Sequence, residues 1–283
     1  MPPSKTTTRL LILLTPPALL TYTTHRYLST LEAKYPPVDP TTTTSLALRT
    51  PSSPTQHCPE IDVYEARAVP VKSLLKRYKH ILQINGQSQL ITAEDNPPKN
   101  EKERRKETLT KSWTLTFLNT APLLHEASIF GLFLNRSYSP GDTGLTTLTS
   151  TPTTKKGERL LNGIFTIESF TPSHSPSTPN TLPGLILSWS IPPEPILFFE
   201  KMAKWGYPFR LMSGGRHEIG ISPVYIHEGE EVVDVRFASA HDYEVLESEG
   251  GLESQKMIPK WTGRLHRGYA RFLLHSAIQD LEI

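Results

Sequence analysis

A single cysteine, Cys58, in 283 residues rules out any disulfide within the chain. It stands in a proline-rich stretch without the surroundings that favour a thiolate, so it does not read as a catalytic nucleophile. An excess of one charge is also missing. Thirty Lys+Arg against 28 Asp+Glu leave +2, which is no footprint for nucleic acid or for an acidic substrate. The one basic run, residues 99–106, is interleaved with glutamates and reads as a solvated loop or the start of a helix. No Gly-x-Ser-x-Gly elbow, phosphate-cradling P-loop, dinucleotide glycine motif or His-Glu-x-x-His occurs. The 10 histidines are scattered without ligand spacing, so neither a metal nor a cofactor is expected. Apolar residues make up 37% of the chain, and the shortfall gathers in the polar stretches 36–59, 92–107 and 171–183.

The N-terminus carries Lys5 and Arg9 ahead of an apolar run over residues 10–22. That is the order of a signal sequence, although no clear small-x-small cleavage site follows. Residues 1–30 are therefore expected to be a signal anchor or a signal peptide. As an anchor, residues 10–28 form a marginal span, kinked at Pro16-Pro17, holding the protein at the endoplasmic reticulum by a single pass. Residues 31–60, rich in proline and threonine, predict a semi-extended linker. The folded domain is expected over 61–283, with a flexible insertion at about 92–107. Asn135 opens an Asn-x-Ser sequon, open to glycosylation if this domain faces the lumen.

Alternation of apolar and polar residues predicts strands over 61–67, 161–169, 185–191, 209–221 and 232–245. Gly214-Gly215 suggests a bulge or bend, and residues 227–230 supply a hairpin turn. Helical spacing appears over 71–80, over 108–134 with a break at Pro122, over 195–205, and in a long closing helix at 255–282. On that last helix Lys260, Arg264, Arg267 and Arg271 form a basic row, read as a solvated face or a site for anionic headgroups. Strand, helices, antiparallel strands and a terminal helix give an α+β fold.

The chemistry-bearing residues are polar groups set among apolar strand positions. Alternation places His241 and Tyr243 on the side of Val235 and Phe237, and His217 on the side of Ile219 and Ile221. Arg216 and Glu218 fall on the other side and read as a surface ion pair. If the two strands are neighbours, His217 and His241 approach one ligand. The plain reading of each is a hydrogen-bonded core residue. The functional one is a donor that polarises a ligand carbonyl or moves a proton.

This order of elements resembles the START-like (Bet v 1-like) superfamily, most clearly over 161–282. The resemblance implies a curved antiparallel sheet wrapped around the long C-terminal helix, enclosing a hydrophobic pocket. On that frame Phe165, Trp189, Phe237, Trp261, Leu265 and Tyr269 line the pocket. The short anchor and Thr/Pro-rich style also resemble membrane-anchored accessory proteins of fungal polyketide-type biosynthetic clusters. What these likenesses imply is a membrane-associated, cofactor-free cyclase or isomerase, a pericyclic ring closure among its possible reactions, acting on a hydrophobic small molecule, a polyketide-type intermediate. Its partners are then the membrane and other enzymes of the same pathway. The alternatives are a lipid- or sterol-binding carrier and a non-catalytic scaffold for a membrane enzyme.

Overall fold

The alternation read over 61–67 continues into a ten-residue strand that pairs with the longest strand of the protein. The structure is a computed structural model that describes residues 5–87, 101–133, 137–149, 156–172 and 182–282. In chain order it gives helices α1 (Lys5–Lys34), α2 (Pro40–Thr43) and α3 (Leu46–Arg49), then strands β1 (Gln56–His57) and β2 (Ile61–Pro70). Next come helices α4 (Val71–Ile84), α5 (Glu101–Leu118), α6 (Ala121–Phe133) and α7 (Leu145–Thr149), followed by strands β3 (Arg159–Leu160), β4 (Phe165–Thr171) and β5 (Gly184–Ser190). Helix α8 (Pro193–Lys204) leads to β6 (Gly214–Ile221), β7 (Tyr225–His227) and β8 (Glu230–Glu244), and the chain closes with α9 (Lys260–Gln279).

The α+β class is what the sequence predicts. All eight strands join one antiparallel sheet, ordered β1-β8-β6-β5-β4-β3, with β2 and β7 also paired to β8. The β7–β8 hairpin closes through Glu228 (φ 50°) and Gly229 (φ 82°), the paired positive φ values of a two-residue turn matched to strand twist. Alternation along β8 sends Val233, Val235 and Phe237 into the main core and Ala238 and Ala240 to the opposite face. No bulge occurs at Gly214-Gly215, where β6 runs in unbroken register with β5 and β8. The glycines are needed for clearance instead: a Cβ on Gly215 would lie 2.2 Å from the Ala240 carbonyl oxygen and 2.8 Å from the Trp189 ring.

Two helices share the inner face of the sheet, which changes the expected arrangement. The central one is α5, buried from Leu109 to Leu118 except at Lys111. It packs on β5 and β6, its Trp113 Nε1–H donates to the Arg236 carbonyl (3.3 Å), and Phe117 stacks on Phe237 at 4.6 Å. The C-terminal helix α9 lies beside it, against β2 and β8. Helix α9 buries a narrow stripe of largely small residues, including Gly263, Gly268, Ala270 and Ala277. The large residues Trp261 and Leu265 turn outward, whereas Tyr269 and Phe272 further along the helix pack against the core.

The basic row of α9 is an internal dock for α1. Arg264 forms a two-pronged ion pair with Glu32, and Arg267 pairs with Glu60. Arg271 is buried, donates to the Tyr35 carbonyl and lies 4.1 Å over the Tyr64 ring. Leu28 of α1 rests on Gly268, where a Cβ would come within 2.2 Å. Among the described residues no helix is long and apolar enough to cross a membrane.

The expected linker, 31–60, is instead part of the folded body. Tyr35 is buried, Val38 N–H donates to Val63, and Leu48 is fully buried with Val63, Ala238 and Ala240 on the outer face of the sheet. Arg216 and Glu218 are buried under this segment and do not pair with each other. Arg216 forms a fork with Asp242 and donates to the Leu48 carbonyl, while Glu218 accepts from Ser45 N–H and Oγ–H. A segment poor in apolar residues suffices here because the face it covers is polar and needs partners more than hydrocarbon. Of the insertion expected at about 92–107, residues 101–107 are the first turns of α5, and the remainder lies outside the described residues, as does Asn135.

Candidate functional site

The neighbouring strands β5, β6 and β8 bring Trp189, His217 and His241 together on the helix-covered face. In the β6–β8 register His217 lies opposite Ser239 and Gly215 opposite His241, so the two histidines are diagonal neighbours. Trp189, opposite Gly215 on β5, lays its indole in the space that glycine leaves. Its ring centre is 6.0 Å from His217 and 5.9 Å from His241. Phe165 and Phe237 flank His217 at 5.3 and 5.1 Å.

The third imidazole comes from α9. His266 Nε2 lies 2.7 Å from His241 Nε2, and Ser239 Oγ is 3.3 Å from the same His241 nitrogen. Burial drives all three imidazoles below their ordinary value: His241 to about 3, His217 well down, and His266 down with help from Arg267. The rings are therefore neutral at physiological pH, each carrying one N–H and one lone pair. Among the described residues two groups lack hydrogen-bond partners: His217, whose contacts are the surrounding rings, and the buried Trp189 indole N–H. His217, Trp189 and His266 nevertheless keep some accessible surface, unlike the fully covered Phe237 beside them.

Tyr243, two residues beyond His241, is buried and sits apart from the trio. Its hydroxyl accepts from Ile258 N–H at 3.5 Å, its ring lies 6.1 Å from His57, and desolvation pushes its phenol up to about 12. Of the expected pocket-lining residues, Phe165, Trp189 and Phe237 surround the histidines. Trp261 and Leu265 are 68% and 44% exposed and do not line the interior. Tyr269 is half-buried and donates to Glu126 of α6 at 2.6 Å. Cys58 donates to the Glu60 carbonyl, and burial raises its thiol, which disfavours the thiolate.

Two residues join this face without having been singled out in the sequence. His266 was legible in principle, since it lies one turn before the buried Ala270 on α9. His57 sits in the segment read as linker, and nothing local marks it. It pairs with Tyr243 across β1 and β8, and its Nε2 is buried without a partner. A cavity of about 620 Å³ lies elsewhere, between β2, the end of α1 and the end of α9, lined by residues such as Tyr35, Val38, Ala66, Val69, Ile278 and Leu281. None of the sequence-predicted site residues lines it. The described residues hold no group of three or more His, Cys, Asp or Glu placed to bind a metal ion.

No protein-family model, curated protein or solved structure matches this chain.

Proposed function

We propose that this protein is a cofactor-free isomerase or cyclase that moves a proton on a hydrophobic, carbonyl-bearing small molecule of the polyketide type. The observation that carries it is the hydrogen-bonded His241–His266 pair beside the partnerless His217 and Trp189 N–H, all set among aromatic rings. Neutral imidazoles in an apolar setting supply both a base and a donor without any added group. The Trp189 N–H and an imidazole N–H suit an oxygen that gains charge as a neighbouring carbon loses its proton. His266, whose imidazole is less depressed than that of His241, is the assigned base, His241 the residue that holds its tautomer, and His217 the donor. A general acid or base of this kind contributes about 10²–10⁴-fold in rate, so ring closure leans on the shape of the aromatic walls as well. The proposal keeps the protein at an endoplasmic-reticulum membrane alongside pathway enzymes, supported by the apolar run at residues 10–22.

The test uses an alkyl-chain β-diketone in deuterated buffer, following exchange at the carbon between the carbonyls. The wild-type protein is expected to accelerate exchange, with a loss of about 10²-fold or more in His266→Ala. Equal exchange in a folded His241→Ala/His266→Ala protein would sink the assignment.

A second reading, a lipid- or sterol-binding carrier, is favoured by the separate cavity at β2. Its volume of about 620 Å³ falls within the range of ligand pockets, and its walls are largely apolar. Native mass spectrometry after mild extraction separates the two: a co-purified lipid supports the carrier, and turnover of an added diketone supports the enzyme.

A further inference from the structure

Helix α8 lies in the connection between β5, which ends one residue after Trp189, and β6, which begins one residue before Gly215. Its residues divide cleanly at 100° per residue. Ala203 is buried and Ile196, Phe199 and Met202 are half-buried against the protein. The opposite side carries Leu197 (62% exposed), Phe198 (59%), Lys201, Lys204 and, just past the last turn, Trp205 (72%). A solvated helix face ordinarily carries polar side chains, and here three large apolar ones stand in water. The lysines are placed among them: Lys201 Nζ sits 5.2 Å over the Trp205 ring. Glu194 is exposed in the first turn, away from that basic end, and Glu200 is half-buried at the rim.

The surface continues beyond the helix. Lys256 Nζ donates to the Ala203 carbonyl at 2.9 Å, which ties the segment before α9 to the end of α8, and Trp261 stands exposed in the first turn of α9. Two exposed tryptophans, an aliphatic–aromatic pair and flanking lysines match what a bilayer interface selects. Apolar side chains enter the acyl boundary, indoles sit at headgroup level and ammonium groups meet anionic phosphates. A protein-binding patch gives a poorer match, because lysine is depleted where such patches are fully buried.

We infer that the outward face of α8, with Trp205 and Trp261, docks on an anionic lipid bilayer and sets the histidine-bearing end of the sheet against the membrane. The inference stands on this surface alone and needs no particular chemistry at the histidines.

The experiment uses the full chain and vesicles of phosphatidylcholine with or without phosphatidylserine, the lipids brominated in their acyl chains. Binding is read by co-sedimentation and depth by quenching of tryptophan fluorescence. The expected result is tighter binding to the anionic vesicles, weakened by salt. Quenching should fall clearly in Trp205→Phe, which keeps the apolar face, and affinity should fall about tenfold or more in Leu197→Asp/Phe198→Asp. Because α1 could also hold the chain to vesicles, the position-specific quenching decides the matter. Unchanged quenching in Trp205→Phe, or unchanged affinity in the double variant, overturns the inference. So does self-association through this face without vesicle binding.

Discussion

His241 on β8 and His266 on α9 meet through their Nε2 atoms at 2.7 Å, and this bond joins the sheet to the C-terminal helix at the candidate site. Such a contact needs one nitrogen with its proton and one without. The pair therefore exists only while at least one ring is neutral, and burial keeps both so. Nuclear magnetic resonance of ring-labelled protein should show one Nε2 protonated and the other bare, with His241 untitrated down to pH 5. Removing His266 in His266→Ala lets water reach the His241 ring and removes a group that would carry like charge at low pH, so the His241 value should climb from about 3 toward 6.5. A His241 that titrates near 6.5 in the wild-type protein contradicts the buried pair.

The same three imidazoles dictate how stability responds to acid. His217, His241 and His266 have folded values below the ordinary 6.5, so the unfolded chain binds more protons than the native one once the pH drops under 6.5. Their contribution to stability is fully present above that pH and is lost as the pH falls toward about 3, where His241 itself titrates. Each group held neutral costs about 1.4 kcal/mol per pH unit inside that window. Urea unfolding at pH 7 and pH 5 should show a marked fall for the wild-type protein and a smaller one for His217→Gln. An equal fall in both would show that His217 is free to take up a proton when folded.

On the outer face, Arg216 and Asp242 form a buried fork under a segment that the sequence presented as linker. Removing the cation in Arg216→Met leaves a buried carboxylate unpaired, and the expected cost is about 3–5 kcal/mol in urea unfolding. Lysine cannot reproduce the fork, so Arg216→Lys should recover little of it. Arg216→Met/Asp242→Leu, which deletes both charges, should be more stable than Arg216→Met alone. A double variant no better than the single one would mean that the contacts of Arg216 to Leu48 and Ser52 matter more than the charge pair.

These pairs also show what the sequence could reveal. Period-two alternation placed His217, His241 and Phe237 on one face of the sheet, and the register agrees. It also placed Arg216 and Glu218 on the other face. It could not say what covers that face, because Ser45 donates to Glu218 while Ser52 Oγ and the Leu48 carbonyl accept from Arg216, and Leu48 is the one buried residue of α3. The terminal helix misled for a related reason. Four of the residues it buries are glycine or alanine, which carry little hydrophobic signal, while Trp261 and Leu265 advertise a face that is exposed. His266 reaches the site only through a tertiary contact, and His57 meets Tyr243 in the same way.

Gly215 offers the sharpest test of how the site is built. A methyl there would meet the Ala240 carbonyl oxygen at 2.2 Å and the Trp189 ring at 2.8 Å. The carbonyl belongs to a strand fixed by its register with β6, so the backbone cannot give way cheaply. The indole can turn, but doing so disturbs its packing on His217 and His241. Gly215→Ala should therefore cost about 1–3 kcal/mol and shift the emission of Trp189, which Trp189→Phe in the same background would verify. Gly251 supplies the control: it has φ near −68° and nothing within 4 Å of an added Cβ, so Gly251→Ala should leave both stability and emission unchanged. If Gly215→Ala behaves like Gly251→Ala, Trp189 does not lie over β6, and the donor assigned to the ligand oxygen is misplaced.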